Sequence, residues 1–241
     1  MKTKNIEFHL SLPKMIDVFP EPEPAYKNLS EWYKKMNSYL NDNKTPKNGV
    51  QALTVKKCQA ILDSMMMGYV FKCPVDVYID TTGENPIFEI SGGFNFLSHP
   101  MTGSHAKEQY HQMPIDETLF VKELLRLNMI WLVKTQPGYS CMFTNINHSD
   151  ESPLVTVPGV IDTDSFYNEG LFSFFVKKNY KGFIKKGTPL IQIIPFKRDV
   201  FTHTVVKNKD ISEKLYKQQV MLRSVFNSGY KRFFWSKKRY E

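Results

Sequence analysis

Two aspartates close together are the residues of this sequence best suited to chemistry on a phosphate. Asp162 and Asp164 follow a short apolar run, and the aromatic residues Phe166 and Tyr167 come directly after them. A carboxylate at a strand end can orient or deprotonate a water for attack on phosphorus. The sequence leaves the cofactor of such a reaction open, with Mg²⁺ as the candidate. A nearby ring can stack against a sugar. The same residues also fit a plain turn, in which both aspartates accept hydrogen bonds from backbone amides.

Three histidines form the second candidate group. His99, His105 and His111 stand six residues apart in a segment with little periodicity. That spacing does not bring side chains to one helix face, but a loop can gather them into a zinc or iron site with an open position. Because no HxH, HxxxH or HxD pair accompanies them, we expect ordinary hydrogen bonds and predict no metal site.

The motifs that are missing disfavour several classes of enzyme. The sequence has no GxSxG elbow, no Walker A loop and no GxGxxG loop, which disfavours serine hydrolases, ATPases, kinases and dinucleotide-dependent oxidoreductases. Its three cysteines contain no CxxC pair and favour a reducing compartment over a disulfide framework. One of them, Cys58, falls on the apolar face of a predicted helix, so we expect it to be a small core residue.

The positive charge of the chain is unevenly distributed. Its 241 residues are 41% hydrophobic and 14% aromatic, which is enough to bury a core. The net charge of +8 lies in residues 197–241, with twelve Lys and Arg against four Asp and Glu, while residues 1–196 hold twenty of each sign. This indicates a local contact with an anion, a nucleic acid or an acidic protein face, or else a solvated tail. No apolar run approaches a membrane span and no signal peptide is evident, so we expect no membrane contact and a cytoplasmic location.

The basic C-terminal tail also carries aromatic rings. Phe233, Phe234 and Trp235 stand among cations that include Lys231 and Arg232. Stacking rings with phosphate-directed cations is how single-stranded nucleic acids are held, so Lys231, Arg232 and Trp235 are candidate ligand contacts. The interpretation that we favour is that Phe233 and Trp235 anchor the tail to the body while the cations face water.

The elements that position these residues are predicted to be mostly strands. Alternation or short apolar runs predict strands at residues 6–12, 69–73, 75–79, 86–90, 129–133, 139–143, 154–161, 171–176 and 190–196. Helices are predicted from Ser30 to about Leu40, from Thr54 to Gly68, from Asp116 or Thr118 through Leu127, and over residues 211–226. We therefore expect an α+β, mainly β fold. Residues 1–49 are predicted to form an arm or outer layer, residues 50–206 the core, and residues 207–241 a helix and tail of one compact domain.

Two spaced motifs give a resemblance to a known family. Residues 159–164 read G-V-I-D-T-D, and residues 187–193 read G-T-P-L-I-Q-I. These segments resemble the third motif of trimeric dUTPases and the glutamine-bearing strand that follows it, with a Pro137-Gly138 strand start upstream. The resemblance covers about 60 residues and implies a β-clip (dUTPase-like) core with peripheral helices. It further implies that Asp162 is the catalytic base and that Asp164, Phe166, Tyr167 and Gln192 contact a ligand.

The chain departs from that family at the groups that hold a triphosphate. The R-S-G motif, the R-S-S motif of the dCTP deaminases and the glycine-rich arm are absent, and Ser165 stands at the family's tyrosine position. We therefore expect no dUTP hydrolysis, because a fold can persist without its chemistry.

A longer set of short motifs over about residues 54–240 is similar to a conserved family of large tailed phages and some bacteria that carries no assigned activity. This resemblance implies a viral context, and thus a host cytoplasm. The leading hypothesis is a phage-type accessory protein that binds a nucleotide or another anionic ligand. The alternatives are a divergent metal-dependent nucleotide hydrolase, and a virion or host-interaction protein whose tail contacts nucleic acid or protein. A homo-oligomer fits any of these.

Overall fold

The computed structural model describes residues 5–12, 15, 17–40, 53–90, 100–149, 152–167, 170–207, 210–225 and 229–240. The strands are β1 (Ile6–Leu10), β2 (Glu23–Pro24), β3 (Tyr69–Lys72), β4 (Val77–Asp80), β5 (Ile87–Ile90), β6 (Thr102–Ser104), β7 (Phe120–Asn128), β8 (Trp131–Thr135), β9 (Tyr139–Asn145), β10 (Leu154–Thr156), β11 (Gly159–Ile161), β12 (Leu171–Lys177), β13 (Lys181–Ile184) and β14 (Pro189–Lys197). The helices are α1 (Glu31–Lys35), α2 (Gln59–Met66), α3 (Lys107–Tyr110), α4 (Ser212–Arg223) and α5 (Gly229–Phe233). The predicted α+β, mainly β class is confirmed.

Within the described residues, the strands pair into four antiparallel sheets. Their strand orders are β1-β8, β10-β12-β7-β6, β11-β9-β14-β3-β2 and β13-β4-β5. β14 is the middle strand of the largest sheet, where it pairs with β9 on one side and with β3 on the other. None of the helices in the described ranges is long and apolar enough to cross a bilayer.

The two larger sheets contact each other through phenylalanine rings. Every second residue of β12 is buried, as expected for a strand with one face toward a core. The ring centroid of Phe172 on β12 lies 4.9 Å from that of Phe143 on β9 and 6.1 Å from that of Phe71 on β3. Phe8 of β1 lies 6.0 Å from Phe71 and joins the β1–β8 ribbon to the same core. The two contacts of Phe71 are edge-to-face, an arrangement that aromatic pairs prefer, and the Phe143–Phe172 pair is tilted by 38°.

β7 differs in type from the prediction. The apolar spacing through Leu127 predicts a helix, whereas Phe120–Asn128 is a nine-residue strand. β7 lies between β6 and β12 and is hydrogen-bonded to both. Burial and pairing at a central position outweigh the helix preference of its Glu and Leu residues.

The first two helices are shorter than predicted. α1 ends at Lys35, and a 3₁₀ turn at Val55–Lys57 precedes α2, which begins only at Gln59. Cys58 stands at the boundary between that turn and α2, where it is exposed. The prediction that Cys58 is a core residue is therefore wrong.

The predicted N-terminal arm contributes a strand to the core. β1 pairs with β8 from Ile6 opposite Thr135 to Leu10 opposite Trp131, and the side chain of Leu10 is buried. Part of the arm, including residues 41–49, lies outside the described residues. The division at residues 49 and 206 stays a prediction.

Candidate functional site

Three neighbouring strands bring polar side chains to one edge of the five-stranded sheet. β11 and β14 both end beside the beginning of β9, on its two sides. The residues that follow these strand ends, Asp162 and Arg198, therefore lie next to Ser140 of β9. Together with Asp164 they form what we call the carboxylate cluster.

Asp164 is the buried member of the carboxylate cluster, with 9% of its side chain exposed. The Nη1 of Arg198 donates to its Oδ1 at 3.0 Å, and the Nη2 of Arg198 donates to its Oδ2. The backbone N–H of Gly138 also donates to Oδ2, at 2.8 Å. The guanidinium first, and then this amide, lower the pKa of the Asp164 carboxyl to about 2. Asp164 thus joins the turn after β11 to the turn before β9, as the turn interpretation expects.

Asp162 is the exposed member, with 60% of its side chain accessible. Its Oδ1 accepts a hydrogen bond of 2.6 Å from the Ser140 hydroxyl and lies 3.3 Å from Nη1 of Arg198. Its backbone carbonyl accepts the N–H groups of Ser165 and Phe166, which reverses the chain after β11. The Asp162 carboxylate is therefore oriented by the protein and open to solvent. A side chain that accepts a proton from a substrate or contacts a ligand needs both a fixed orientation and access from solvent.

The two aromatic residues after the aspartates are exposed, Phe166 by 53% and Tyr167 by 54%. Phe166 also borders a small cavity of about 50 Å³ together with Ile161, Thr163 and Phe172. A cavity of this size holds a few water molecules and no nucleobase. Any ring stacked on Phe166 would therefore lie on the surface of the sheet edge.

Gln192 occupies a different environment from the other predicted ligand contacts. It is fully buried on β14, and its Nε2 donates to the carbonyls of Ser64 at 2.9 Å and Met67 at 2.7 Å. Its Oε1 accepts the backbone N–H of Asn147 at 3.0 Å. In this structure Gln192 holds the end of α2 against the sheet, which corrects the expectation that it faces a ligand.

The described histidines have separate hydrogen-bond partners. The Nε2 of His105 is 2.7 Å from the Ser173 hydroxyl, and the Nδ1 of His111 is 3.0 Å from the carbonyl of Glu108. His99, the third member of the predicted group, lies outside the described residues. His105 and His111 thus have separate hydrogen-bond partners, and the absence of a metal site stays a prediction.

The C-terminal tail lies against α2. The indole Nε1 of Trp235 and the Nζ of Lys238 both donate to Oδ2 of Asp63, each at 2.7 Å. The ammonium groups of Lys231 and Lys238 stand 5.6 Å and 5.7 Å from the centroid of the Trp235 ring. Arg232 stands 5.6 Å from the ring of Phe233. The anchoring interpretation of the tail expects this arrangement, with the cations exposed.

Among the comparisons with known proteins, the one with solved structures gives matches. No family model matches the chain, and no curated protein matches it. A point mutant of the dUTPase of Staphylococcus bacteriophage 80alpha covers 86% of this chain and 99% of its own, at 10% identity and a TM-score of 0.37. A point mutant of the dUTPase of phage phi11 of S. aureus is described for its coordination of a structural Mg(II) ion. It also covers 86% of this chain and 99% of its own, at 11% identity and a TM-score of 0.32. A further mutant of the 80alpha dUTPase, with dUpNHpp, covers 39% of this chain and 75% of its own, at 14% identity and a TM-score of 0.23.

All three are phage dUTPases. Likeness at these TM-scores supports no conclusion about the fold or the site of this chain. The resemblance to a conserved family of large tailed phages stays a prediction.

The carboxylate cluster does not fit a resident Mg²⁺. Carboxylate and hydroxyl oxygens suit the ion, but both oxygens of Asp164 and the bonded oxygen of Asp162 face the guanidinium of Arg198. Nowhere in the described part of the chain do three His, Cys, Asp or Glu side chains come together as a metal site requires.

Arg198 and Ser140 are the residues of this site that the sequence did not single out. Arg198 directly follows β14, and its Nη1 also donates to the Ser140 hydroxyl at 2.9 Å and to the carbonyl of Tyr139 at 3.0 Å. The pairing of β14 with β9 would have placed it beside Ser140, but strand pairing is not readable from one sequence.

The contribution of Asp164 to stability is expected to disappear in acid. The pKa of Asp164 is lowered from 3.8 to about 2 in the folded protein. Its stabilisation is therefore complete at pH values above the pKa of the unfolded state, and it is lost as the pH falls toward the pKa of the folded state. Urea unfolding should therefore show a difference between wild type and Asp164→Asn that shrinks from pH 5 to pH 2.5. In a protein that already carries Arg198→Gln, adding Asp164→Asn should destabilise the fold less at pH 5 than it does in wild type. A difference in the free energy of unfolding between wild type and Asp164→Asn that does not change with pH would contradict this account.

Proposed function

We propose that the protein is a phage-type accessory protein that binds a nucleotide or another small anionic ligand through a dUTPase-like core. The observation that supports this most is the exposed Asp162 carboxylate, which Ser140 and Arg198 orient, with the exposed ring of Phe166 four residues later in the same turn. A sugar hydroxyl of the ligand would donate to Asp162, and the sugar or base would stack on Phe166. Arg198, with 38% of its side chain exposed, supplies the nearest cation.

The charge of the carboxylate cluster argues for binding without triphosphate hydrolysis. Two aspartates and one arginine leave the cluster with one net negative charge, and Arg198 already contacts both carboxylates. A triphosphate cradle needs several cations or amide donors aimed at the phosphates. We therefore favour a ligand whose hydrogen-bond donors, rather than its phosphates, meet Asp162.

The test is a thermal-shift screen of the full chain against nucleotides, nucleosides and cyclic dinucleotides. A ligand at 100 times its Kd stabilises the folded state by about 2.7 kcal/mol, which raises the melting temperature of a protein of this size by roughly 5–10 °C. Asp162→Asn keeps the shape and removes the charge, so we expect affinity to fall about tenfold or more, as for a lost charged hydrogen bond.

The matched control is Asp199→Asn, which removes the same charge from an exposed aspartate that lies just after the end of β14. It should keep the full thermal shift. A flat screen across all nucleotide classes, or an equal loss in both variants, would refute binding at Asp162.

Hydrolysis is the second candidate, and the exposure of the Asp162 carboxylate is the observation that favours it. We expect no phosphate or pyrophosphate release from nucleoside triphosphates, with or without Mg²⁺. Release that disappears in Asp162→Asn and persists in Asp199→Asn would establish the hydrolase instead.

A further inference from the structure

A second cleft lies between the C-terminal tail and the body of the protein. Its volume is about 330 Å³, and its lining includes Tyr69, Gln136, Tyr139, Lys238, Arg239 and Tyr240. None of the four residues of the carboxylate cluster lines this cleft. A volume near the lower end of the range for ligand pockets, roughly 300–1,000 Å³, suits a compact molecule.

The tail is held in place on both sides of Arg239. Lys238 donates to Oδ2 of Asp63 at 2.7 Å, and the ring of Tyr240 meets that of Tyr69 edge to face, with centroids 6.0 Å apart at 85°. Burial raises the pKa of the Tyr240 hydroxyl, which keeps it a neutral hydrogen-bond donor at physiological pH. The backbone of Arg239 is thus fixed at the cleft by its two neighbours.

Arg239 supplies this cleft with a cation that has no charged partner among the residues that the structure describes. The structure gives Lys238 an ion pair with Asp63, whereas Arg239 has no ion pair or hydrogen bond among the described residues. Lys237 precedes these two residues in the sequence and is also exposed. A guanidinium presents a planar fork of donors that matches phosphate, and neighbouring cations favour a dianion over a carboxylate.

The tyrosines supply the other half of the chemistry. Tyr69, Tyr139 and Tyr240, whose side chains carry an aromatic ring and a hydroxyl group, line the cleft together with Gln136, whose side chain carries an amide. Aromatic lining with a few polar groups is typical of sites for planar ligands. We propose that this cleft binds a small ligand that joins a planar ring to a phosphate group, with the ring against the tyrosines and the phosphate on Arg239. This site is independent of the ligand proposed for Asp162.

The experiment is an NMR titration of the ¹⁵N-labelled full chain with phenyl phosphate, phenol, benzoate and inorganic phosphate. Phenyl phosphate should bind at least tenfold more tightly than phenol or inorganic phosphate alone, and more tightly than benzoate. Its largest shifts should map to the cleft. In Arg239→Gln the affinity for phenyl phosphate should fall at least tenfold while that for phenol is unchanged.

Arg232→Gln is the matched control, since it removes the same charge from an exposed tail residue that does not line the cleft. Arg232→Gln should leave the affinity for phenyl phosphate unchanged, and so should Asp162→Asn. A negative result for the cleft can therefore be told apart from a negative result for the site at Asp162. Equal melting temperatures of wild type and Arg239→Gln will show that the variant is folded. No binding of phenyl phosphate, tighter binding of benzoate, or equal weakening by both arginine substitutions would overturn the proposal.

Discussion

Replacing Gly68 with alanine is expected to destabilise the protein by more than about 3 kcal/mol. Gly68 joins α2 to β3 with a φ of +76°, a left-handed conformation that costs a residue with a Cβ about 1–2 kcal/mol. A Cβ at this position would also stand 1.9 Å from the carbonyl oxygen of Ile193. That oxygen belongs to the central strand β14, so it cannot move aside without disturbing the pairing on both of its edges. Denaturant unfolding followed by circular dichroism measures the loss.

Two other glycines separate the contributions of conformation and contact. Gly187 has a φ of +88° with no atom within 4 Å of a built Cβ, so Gly187→Ala should cost only about 1–2 kcal/mol. Gly83 has neither a positive φ nor a close neighbour, and Gly83→Ala should change stability by less than about 0.5 kcal/mol or stabilise slightly. A loss in Gly187→Ala as large as that in Gly68→Ala would show that the contact with Ile193 is not the cause.

The second large effect is expected at Gln192. Gln192→Leu keeps the approximate volume but removes the hydrogen-bond partners of the Met67 carbonyl and of the Asn147 N–H. It also removes one of the two donors to the Ser64 carbonyl, which the Nδ2 of Asn147 still reaches at 2.9 Å. A buried polar group without a partner costs about 1–3 kcal/mol, so we expect a total loss of roughly 3 kcal/mol or more. Hydrogen exchange should show that α2 opens before the sheet does.

Gln219→Leu on α4 is the control, because Gln219 is exposed. Its stability should stay within about 0.5 kcal/mol of wild type. If Gln192→Leu were equally mild and instead abolished ligand binding, the ligand-contact role predicted from the sequence would be restored.

The strands of this fold were largely predictable because their patterns are local. The alternation in β12 and the apolar runs of β9 and β14 correspond to strands of the structure. β7 was not predictable, because its spacing of Phe120, Leu124 and Leu127 is helical and only the flanking strands β6 and β12 decide its type. Cys58 was misassigned for a related reason, since α2 begins one residue after it.

The site was predictable at its carboxylates and not at their partners. The motif places Asp162 and Asp164 after a strand, where the structure has them. Arg198 and Ser140 join them through strand pairing across 36 and 22 residues of chain from Asp162, which no local pattern shows. Gln192 carries the same motif signal as Asp162, but its environment is set by the way α2 packs on the sheet, so its side chain turned out to be structural.

The central position of β14 has a consequence for how the chain folds. Ile193 pairs with Tyr69, 124 residues earlier, and with Phe143, 50 residues earlier. The five-stranded sheet therefore has high contact order, and loop closure must precede the contacts that stabilise it, which is typical of slow folding. During synthesis, β3 and β9 leave the ribosome with unpaired edges that persist until β14 emerges. In that interval the nascent protein exposes two apolar strands to intermolecular pairing.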